Sequence, residues 1–384
     1  MHIKSLRLVD FRNYSNQKVE FSKNTNLLFG DNAQGKTNIL EAIYICSIGK
    51  SHRGAKDIEM VAFNKECYYI ELELVKRERN IKIEIGFKKE KGKAIKVSGT
   101  ALKSSGELLG NLVVVIFAPD DLKMIKDGPS FRRRFLDILI CQLHTSYLYD
   151  LQEYYKILNQ RNNLLKQIKF APNLYDTLDI WDENLINTGS RIIQKRIEFS
   201  KKIIEKCGDI HDKLTIDEKL EVKYESSILN NDKENISLNE LIDNFYRELK
   251  KNRDLDVKRG FTNQGPHRDD LKFFINGLDI EKFGSQGQQR TAILSLKLSE
   301  LKILEEEIEE KPILLLDDVF SELDESRRNY LREYIKDFQT FITSTDDIEV
   351  INENENIKSM KVKSGTIEWK EYKNSKFKSW NLYF

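Results

Sequence analysis

The eight residues Gly30-Asp31-Asn32-Ala33-Gln34-Gly35-Lys36-Thr37 match G-x-x-x-x-G-K-[ST] at every fixed position, and no other stretch of the chain restricts its fold so tightly. Such a loop works between a buried strand and a helix whose N-terminus faces an anion. Both neighbours are present. Asn26-Leu27-Leu28-Phe29 is a short apolar run, and Asn38-Ile39-Leu40-Glu41-Ala42-Ile43-Tyr44 opens a helix. The residue types follow from the ligand. Glycines let backbone N–H groups wrap phosphates, Lys36 brings a compact cation to the β and γ oxygens, and the Thr37 hydroxyl ligates Mg2+. The bland alternative is a glycine-rich turn.

A second signal lies far downstream. Ile313-Leu314-Leu315-Leu316-Asp317-Asp318 is an apolar strand ending in two acids, a Walker B pattern. Alone, such a run reads equally well as a strand followed by a turn. Beside a Mg-nucleotide, Asp317 holds the metal through water and Asp318 orients or deprotonates the attacking water. Just before it, Ser285 precedes a helix over about 286–307, with Gln288 three residues on completing a capping box. A capped helix end with flanking Gly284 and Gly287 is also an anion site, so structure and function coincide there.

The 384 residues exceed the usual single-domain size, so two units with separate cores are expected. Charged residues at 33% against 40% apolar, with 5 prolines, describe a soluble folded chain, and the absence of a signal peptide or long apolar window points to the cytoplasm. Four cysteines, Cys46, Cys67, Cys141 and Cys207, have no metal-like spacing and read as small buried hydrophobes. A net charge of +1 means that any nucleic-acid binding depends on a local patch.

In chain order, alternation predicts a hairpin before the P-loop strand, then strands over 68–74, 80–87, 94–97 and 112–117. From about Asp121 to Leu249 the periodicity is helical. Phe131, Phe135, Ile138 and Leu139 share one stripe, and segments on either side of Ala171-Pro172-Asn173 predict an antiparallel helical arm. The polar run 226–237 reads as a loop, and Phe341-Ile342-Thr343-Ser344-Thr345 as another core strand. The expected fold is α/β, a P-loop ATPase head with a mixed sheet and flanking helices. Residues 1–117 and 260–384 form the head, and 118–259 form an inserted helical domain.

About 280 residues separate the P-loop from the Walker B acid and end in a Ser-x-Gly-Gln signature. That order resembles ABC-type ATPase heads of the SMC and Rad50 kind, and within them it is most similar to the RecF family of recombination mediators. The resemblance is carried by Asp10-Phe11-Arg12-Asn13-Tyr14, the P-loop interior Asn32-Ala33-Gln34, and Pro119-Asp120 leading to Gly128-Pro129-Ser130-Phe131-Arg132-Arg133-Arg134. It continues through Gln264-Gly265-Pro266-His267-Arg268-Asp269-Asp270, the signature 285–290, and Leu316-Asp317-Asp318 to Asp324.

The resemblance implies ATP and Mg2+ as cofactors, Arg12 among the nucleotide contacts, and an ATP-dependent homodimer in which Ser285, Gly287 and Gln288 act in trans. It implies binding to double-stranded DNA and to gapped or single-stranded junctions, with RecO-like and RecR-like partners placing RecA, and no membrane. Asp318 stands where transporter-type heads carry glutamate, and Thr345 lies near where a switch histidine is common, so slow hydrolysis is expected. Arg191, Lys195, Arg196, Lys201 and Lys202 are candidate phosphate contacts; a solvated helix face is the equal alternative. Arg132 to Arg134 are alternatively junction residues, and His267 to Asp270 a structural ion-pair group. The competing functions are an ATP-binding architectural module, an ABC-type ATPase subunit of another complex such as a transporter, and, least favoured, a small-molecule kinase.

Overall fold

The computed structural model describes residues 1–229, 236–345 and 357–369. They form two compact units: Met1–Pro119 with the chain from Glu310 onward, and Asp120–Glu309. In chain order the elements begin with β1 (His2–Phe11), β2 (Tyr14–Glu20), β3 (Thr25–Phe29), α1 (Lys36–Ile48), β4 (Cys67–Lys76), β5 (Arg79–Lys88), β6 (Gly92–Val97), β7 (Thr100–Ala101) and β8 (Val114–Phe117). Then come α2 (Lys123–Lys126), α3 (Pro129–Leu143), α4 (Thr145–Ile168), α5 (Leu178–Leu214), β9 (Leu220–Glu225), α6 (Leu238–Arg259), β10 (Asp270–Ile275), β11 (Leu278–Asp279), α7 (Ile280–Phe283) and α8 (Gln286–Ile308). The last are β12 (Ile313–Asp317), α9 (Glu325–Ile335), β13 (Thr340–Ser344), β14 (Lys358–Lys363) and β15 (Thr366–Trp369).

The first unit is the α/β head that the sequence predicts. It holds two six-stranded sheets, one antiparallel in the order β2-β1-β4-β5-β6-β7, the other ordered β15-β14-β3-β13-β12-β8. From β14 to β8 the second sheet is parallel, with β15 as an antiparallel edge. Parallel strands covered on both faces need near-continuous apolar sequence. Leu27 and Leu28 of β3 and Ile313 to Leu316 of β12 are accordingly buried. Between the sheets lies α1, whose Ile39, Leu40, Ile43 and Ile45 join Leu6, Leu72, Ile85 and Leu315 in one core. No helix among the described residues is long and apolar enough to cross a membrane.

The second unit is mainly helical. Arg161 of α4 meets Asp182 of α5, and Asp150 meets Arg191, so these helices run antiparallel, as their flanking of 171–173 predicts. Arg161 is fully buried; it bonds Asp182 at 2.7 Å, with Asp256 and Thr262 each at 2.8 Å, and Arg253 shares Asp182. An arginine this deep is tolerable only with fixed carboxylates around it.

Two boundaries differ from expectation. The helical stretch is interrupted by β9, which pairs antiparallel with β10 from Leu220↔Ile275 to Glu225↔Asp270. Its Leu-Glu-Val-Lys-Tyr-Glu alternates, with Leu220 and Val222 buried. Residues 260–309 also cluster with the helical unit and not with the P-loop sheets. Their physical ties are the β9–β10 ladder and contacts of α8 with α5, among them Ser295 with His211 at 3.0 Å. Residues 226–229 form the start of the expected polar loop and Ser237 caps α6; 230–235 lie outside the described residues. On the expected apolar stripe Phe135 and Leu139 are buried, but Phe131 is exposed.

Candidate active site

The strand order places the two chemical motifs together. In open α/β sheets ligands bind beyond the carboxyl ends of the strands. Here β3 feeds the P-loop and β12 ends at Asp317, and only β13 separates them. The register sets Leu28, Thr343 and Asp317 in one row across the three strands. Thr37, first-turn residue of α1, therefore reaches Asp317 across the gap, and its Oγ1 donates to Asp317 Oδ1 at 2.9 Å. Thr343 Oγ1 donates to the same oxygen at 2.7 Å and accepts the Asp318 N–H at 2.9 Å. Asp318, the residue that follows β12, takes a left-handed φ of 56°.

Lys36 is buried, and its Nζ donates to the carbonyls of Gly30 and Asp31. Burial lowers its pKa, opposed by Asp318, Asp31 and Asp317. The lysine thus folds back across its own loop, held by two of the loop's carbonyls. A cavity of about 230 Å³ is lined by residues 32–38 with Arg53, Asp317, Asp318 and Thr343. The nucleotide residues of the sequence reading are thereby brought together, apart from Gly30 and Asp31, which meet Lys36 from the side, and Arg12.

Arg12 forks onto the buried Glu41 carboxylate at 2.8 and 2.7 Å and donates to the Glu59 carbonyl at 2.9 Å. It is not among the cavity-lining residues. Burial would raise the Glu41 pKa, but the bonds from Arg12 and Ser51 outweigh it and hold the carboxyl below the usual range. Sequence reasoning missed Arg53 and Thr343. Arg53 was legible as a cation in the polar loop after α1; Thr343 shows only once the strand register is known.

The donor set fits Mg2+. Among the described residues no cluster of three or more His, Cys, Asp or Glu can hold a metal. The Thr37 hydroxyl and Asp317 carboxylate are hard oxygen donors of the kind that hold this ion together with phosphates and water.

At the signature, Ser285 caps α8: its Oγ accepts the Gln288 N–H at 3.2 Å while Gln288 Oε1 accepts the Ser285 N–H at 2.9 Å. Gln288 Nε2 also donates to Glu218 at 2.9 Å. Ser285, Gln286 and Gly287 are exposed.

The basic residues of α5 divide. Arg196 is a correction. It is 1% exposed, donates to Asp137, Asp269 and the Pro266 carbonyl, and so is unavailable to a surface phosphate. The others face outward with acidic companions: Arg191 with Asp150, Lys195 with Glu198, and Lys202 with Glu198 and Glu307. Lys201 is exposed. Arg132 grips Asp270 at 2.7 and 2.9 Å, and Arg133 donates to the Asp269 carbonyl at 2.6 Å. The ion-pair alternative thus describes Asp269 and Asp270.

His267 joins that group through Tyr154, 2.7 Å from Nδ1, and the Thr262 carbonyl, 3.1 Å from Nε2. Burial chiefly, with Arg268, Arg133 and Arg196, pushes its pKa down to about 4 against the bond it donates to the Thr262 carbonyl. The unfolded chain therefore binds the extra proton below about 6.5, and stability falls as pH drops from there toward 4. His267→Gln is expected to flatten that part of the unfolding free-energy profile by roughly 1–3 kcal/mol between pH 6.5 and 4.5 in urea titrations. Parallel wild-type and variant profiles would refute the assignment.

A strand, a phosphate loop and a second strand ending in paired acids, with a capped Ser-x-Gly-Gln helix between them in sequence, define an ABC-type ATPase head. Residues 2–368 match the family model described as the RecF/RecN/SMC N-terminal domain. Among curated relatives, the DNA replication and repair protein RecF of Acetivibrio thermocellus is 49% identical over 347 residues, covering 90% of this chain and 94% of the relative. That of Lachnoclostridium phytofermentans is 47% identical over 370 residues, covering 96% and 99%. A solved structure of the recombination mediator protein RecF with ATPrS, of the RecFOR pathway, superposes with TM-score 0.90 at 42% identity, covering 96% of this chain and 98% of that one. An Smc head bound to the C-terminal winged-helix domain of ScpA shares the fold alone, with TM-score 0.55 and 16% identity over 96% of this chain and 98% of that one. The chain belongs to the RecF family.

Proposed function

We propose that this chain binds Mg-ATP at the P-loop, hydrolyses it slowly, and works as an ATP-dependent DNA-binding clamp in DNA replication and repair. The observation that carries the reading is the convergence of the Thr37 and Thr343 hydroxyls on one oxygen of Asp317, beside Asp318, on the wall of a phosphate-sized cavity. RecF relatives near half identity, and a close structural relative solved with an ATP analogue, support the same conclusion.

In this mechanism the P-loop N–H groups and Lys36 hold the phosphates, and Arg53 adds positive charge at the cavity wall. Thr37 and Asp317 would hold Mg2+, which would supply positive charge beside the phosphate oxygens. Asp318, at the cavity edge, orients the attacking water and receives its proton. Exposure of Ser285 to Gly287 supports an ATP-dependent homodimer in which Ser285, Gly287 and Gln288 complete the partner's site. RecO-like and RecR-like partners that place RecA at gapped DNA are part of the proposal. The outward face of α5 with Arg191, Lys195, Lys201 and Lys202 is its candidate DNA surface, where phosphates would displace Glu198 and Glu307.

The test is ATP hydrolysis by the purified protein across protein concentrations, with and without double-stranded DNA, beside Ser285→Arg. Turnover that rises with DNA, steepens with concentration and is lost in Ser285→Arg is the expected result. Turnover indifferent to all three would mean that each P-loop works alone, and the clamp would be abandoned. ATP binding without phosphate release would favour the architectural module, a reading for which the short Asp318 side chain speaks.

A further inference from the structure

Two turns outside the P-loop grip the carbonyls of its two central peptides. The Gln34 carbonyl accepts from Asn13 Nδ2 at 2.7 Å and from the Gly365 N–H at 3.1 Å. The Gly35 carbonyl accepts from the Tyr14 hydroxyl at 3.0 Å and from the Asn38 N–H at 3.0 Å. No cis peptide bond occurs among the described residues. In a trans peptide the C=O and the following N–H point in opposite directions. Pulling the Gln34 and Gly35 carbonyls toward the turns therefore aims the Gly35 and Lys36 N–H groups to the other side of the loop, away from the braces.

We propose that the β1–β2 turn, through Asn13 and Tyr14, and the β14–β15 turn, through Ser364 and Gly365, are the positioning elements of the phosphate site: they hold its backbone donors in the anion-binding orientation before any ligand arrives. The proposal rests on the reading of the P-loop as a nucleotide site, and deepens it. Preset donors spare the ligand the work of ordering the loop.

Several independent observations converge on this. The Gln34 side chain is held as well, its Oε1 accepting the Ser364 N–H at 2.7 Å. Asn13 Oδ1 accepts from Asn38 Nδ2 at 2.9 Å, tying the same turn to the first turn of α1. Gly365 has φ +75°, and a Cβ there would sit 2.1 Å from the Asn13 carbonyl oxygen, so the two turns touch only because this residue is glycine. Gly30 at the start of the loop is equally confined, since a Cβ would lie 2.4 Å from the Val362 carbonyl of β14. Tyr14 is fully buried, and burial pushes its pKa far above the ordinary range, so its hydroxyl keeps its proton at any working pH.

Asn13, Tyr14 and Gly365 touch no part of the cavity directly, and act only through the loop. Tyr14→Phe removes one hydroxyl and keeps the ring in place, and is the informative variant; Asn13→Ala and Gly365→Ala are its companions. The measurements are calorimetric affinity for inorganic tripolyphosphate and for a non-hydrolysable ATP analogue, each with Mg2+, together with the thermal midpoint. The expected result is a loss of about fivefold in Tyr14→Phe and about tenfold or more in Gly365→Ala for both ligands, as for one and two lost hydrogen bonds. The thermal midpoint of Tyr14→Phe should stay near wild type, whereas a merely structural role would lower the midpoint and leave tripolyphosphate affinity unchanged. Should Gly365→Ala fail to fold, the first two variants still decide. Affinities of Tyr14→Phe and Asn13→Ala within twofold of wild type would overturn the proposal while leaving nucleotide binding intact. Failure of the wild type itself to bind either ligand would instead overturn the proposed function.

Discussion

Replacing Lys36 by alanine is expected to lower ATP turnover by about 10³-fold or more, the largest single effect in this molecule. The reason is local. Lys36 is buried, held by the Gly30 and Asp31 carbonyls, and faces three carboxylates, Asp31, Asp317 and Asp318. Removing it leaves the cavity lined by two acids, Asp317 and Asp318, with Arg53 as its remaining lining cation and Asp31 close by, so a polyanion meets net repulsion. Binding should weaken along with turnover, because the same charge serves the bound phosphates and the transition state. Phosphate release at saturating ATP and analogue affinity are the two readings. A variant that keeps turnover within tenfold of wild type would mean the catalytic phosphate does not sit in this loop.

The second large effect separates binding from chemistry. Asp318→Asn keeps shape and hydrogen-bonding capacity but removes the charge proposed to receive a proton, and should lower kcat by about 10²–10⁴-fold with analogue affinity nearly unchanged. The backbone supports this division. The Asp318 N–H is fixed by Thr343, whose own hydroxyl is spent on Asp317, so substituting the side chain of 318 leaves the row of bonds that supports the Asp317 carboxylate in place. Single-turnover kinetics give the answer directly. If binding and turnover fell together in Asp318→Asn, the acid would be part of the ground-state site and the base would have to be sought elsewhere.

What the sequence disclosed, and what it withheld, follows the reach of the interactions. The P-loop, the Ser285 capping box and the β12 acids are each set by a few consecutive residues, and each lies where expected. The α5 cations were harder to read. Arg196 and Lys195 are neighbours of one chemical type, yet one is buried among Asp137 and Asp269 and the other is half-exposed beside Glu198. Only the path of the chain through residues 137 and 269 decides which is which. β9 was hidden for a different reason: six alternating residues between long helices carry a period-2 signal too short to outweigh its surroundings. Contacts such as Gln34 with Ser364 join residues 330 apart and have no local signature at all.

The same separation governs how the head must be made. β3 emerges from the ribosome early, but its neighbours in the parallel sheet, β13 and β14, lie near the other end of the described chain. With Gln34 and its brace 330 residues apart, and synthesis at about 5–20 residues per second, the P-loop strand waits on the order of tens of seconds for partners. During that interval β3 presents unpaired backbone and the apolar side chains of Leu27 and Leu28. The helical unit, Asp120–Glu309, is complete well before the sheet can close. This nucleotide site is therefore among the last features to form, and premature termination before β14 would leave a chain with its phosphate loop intact in sequence but held from the β1–β2 turn alone.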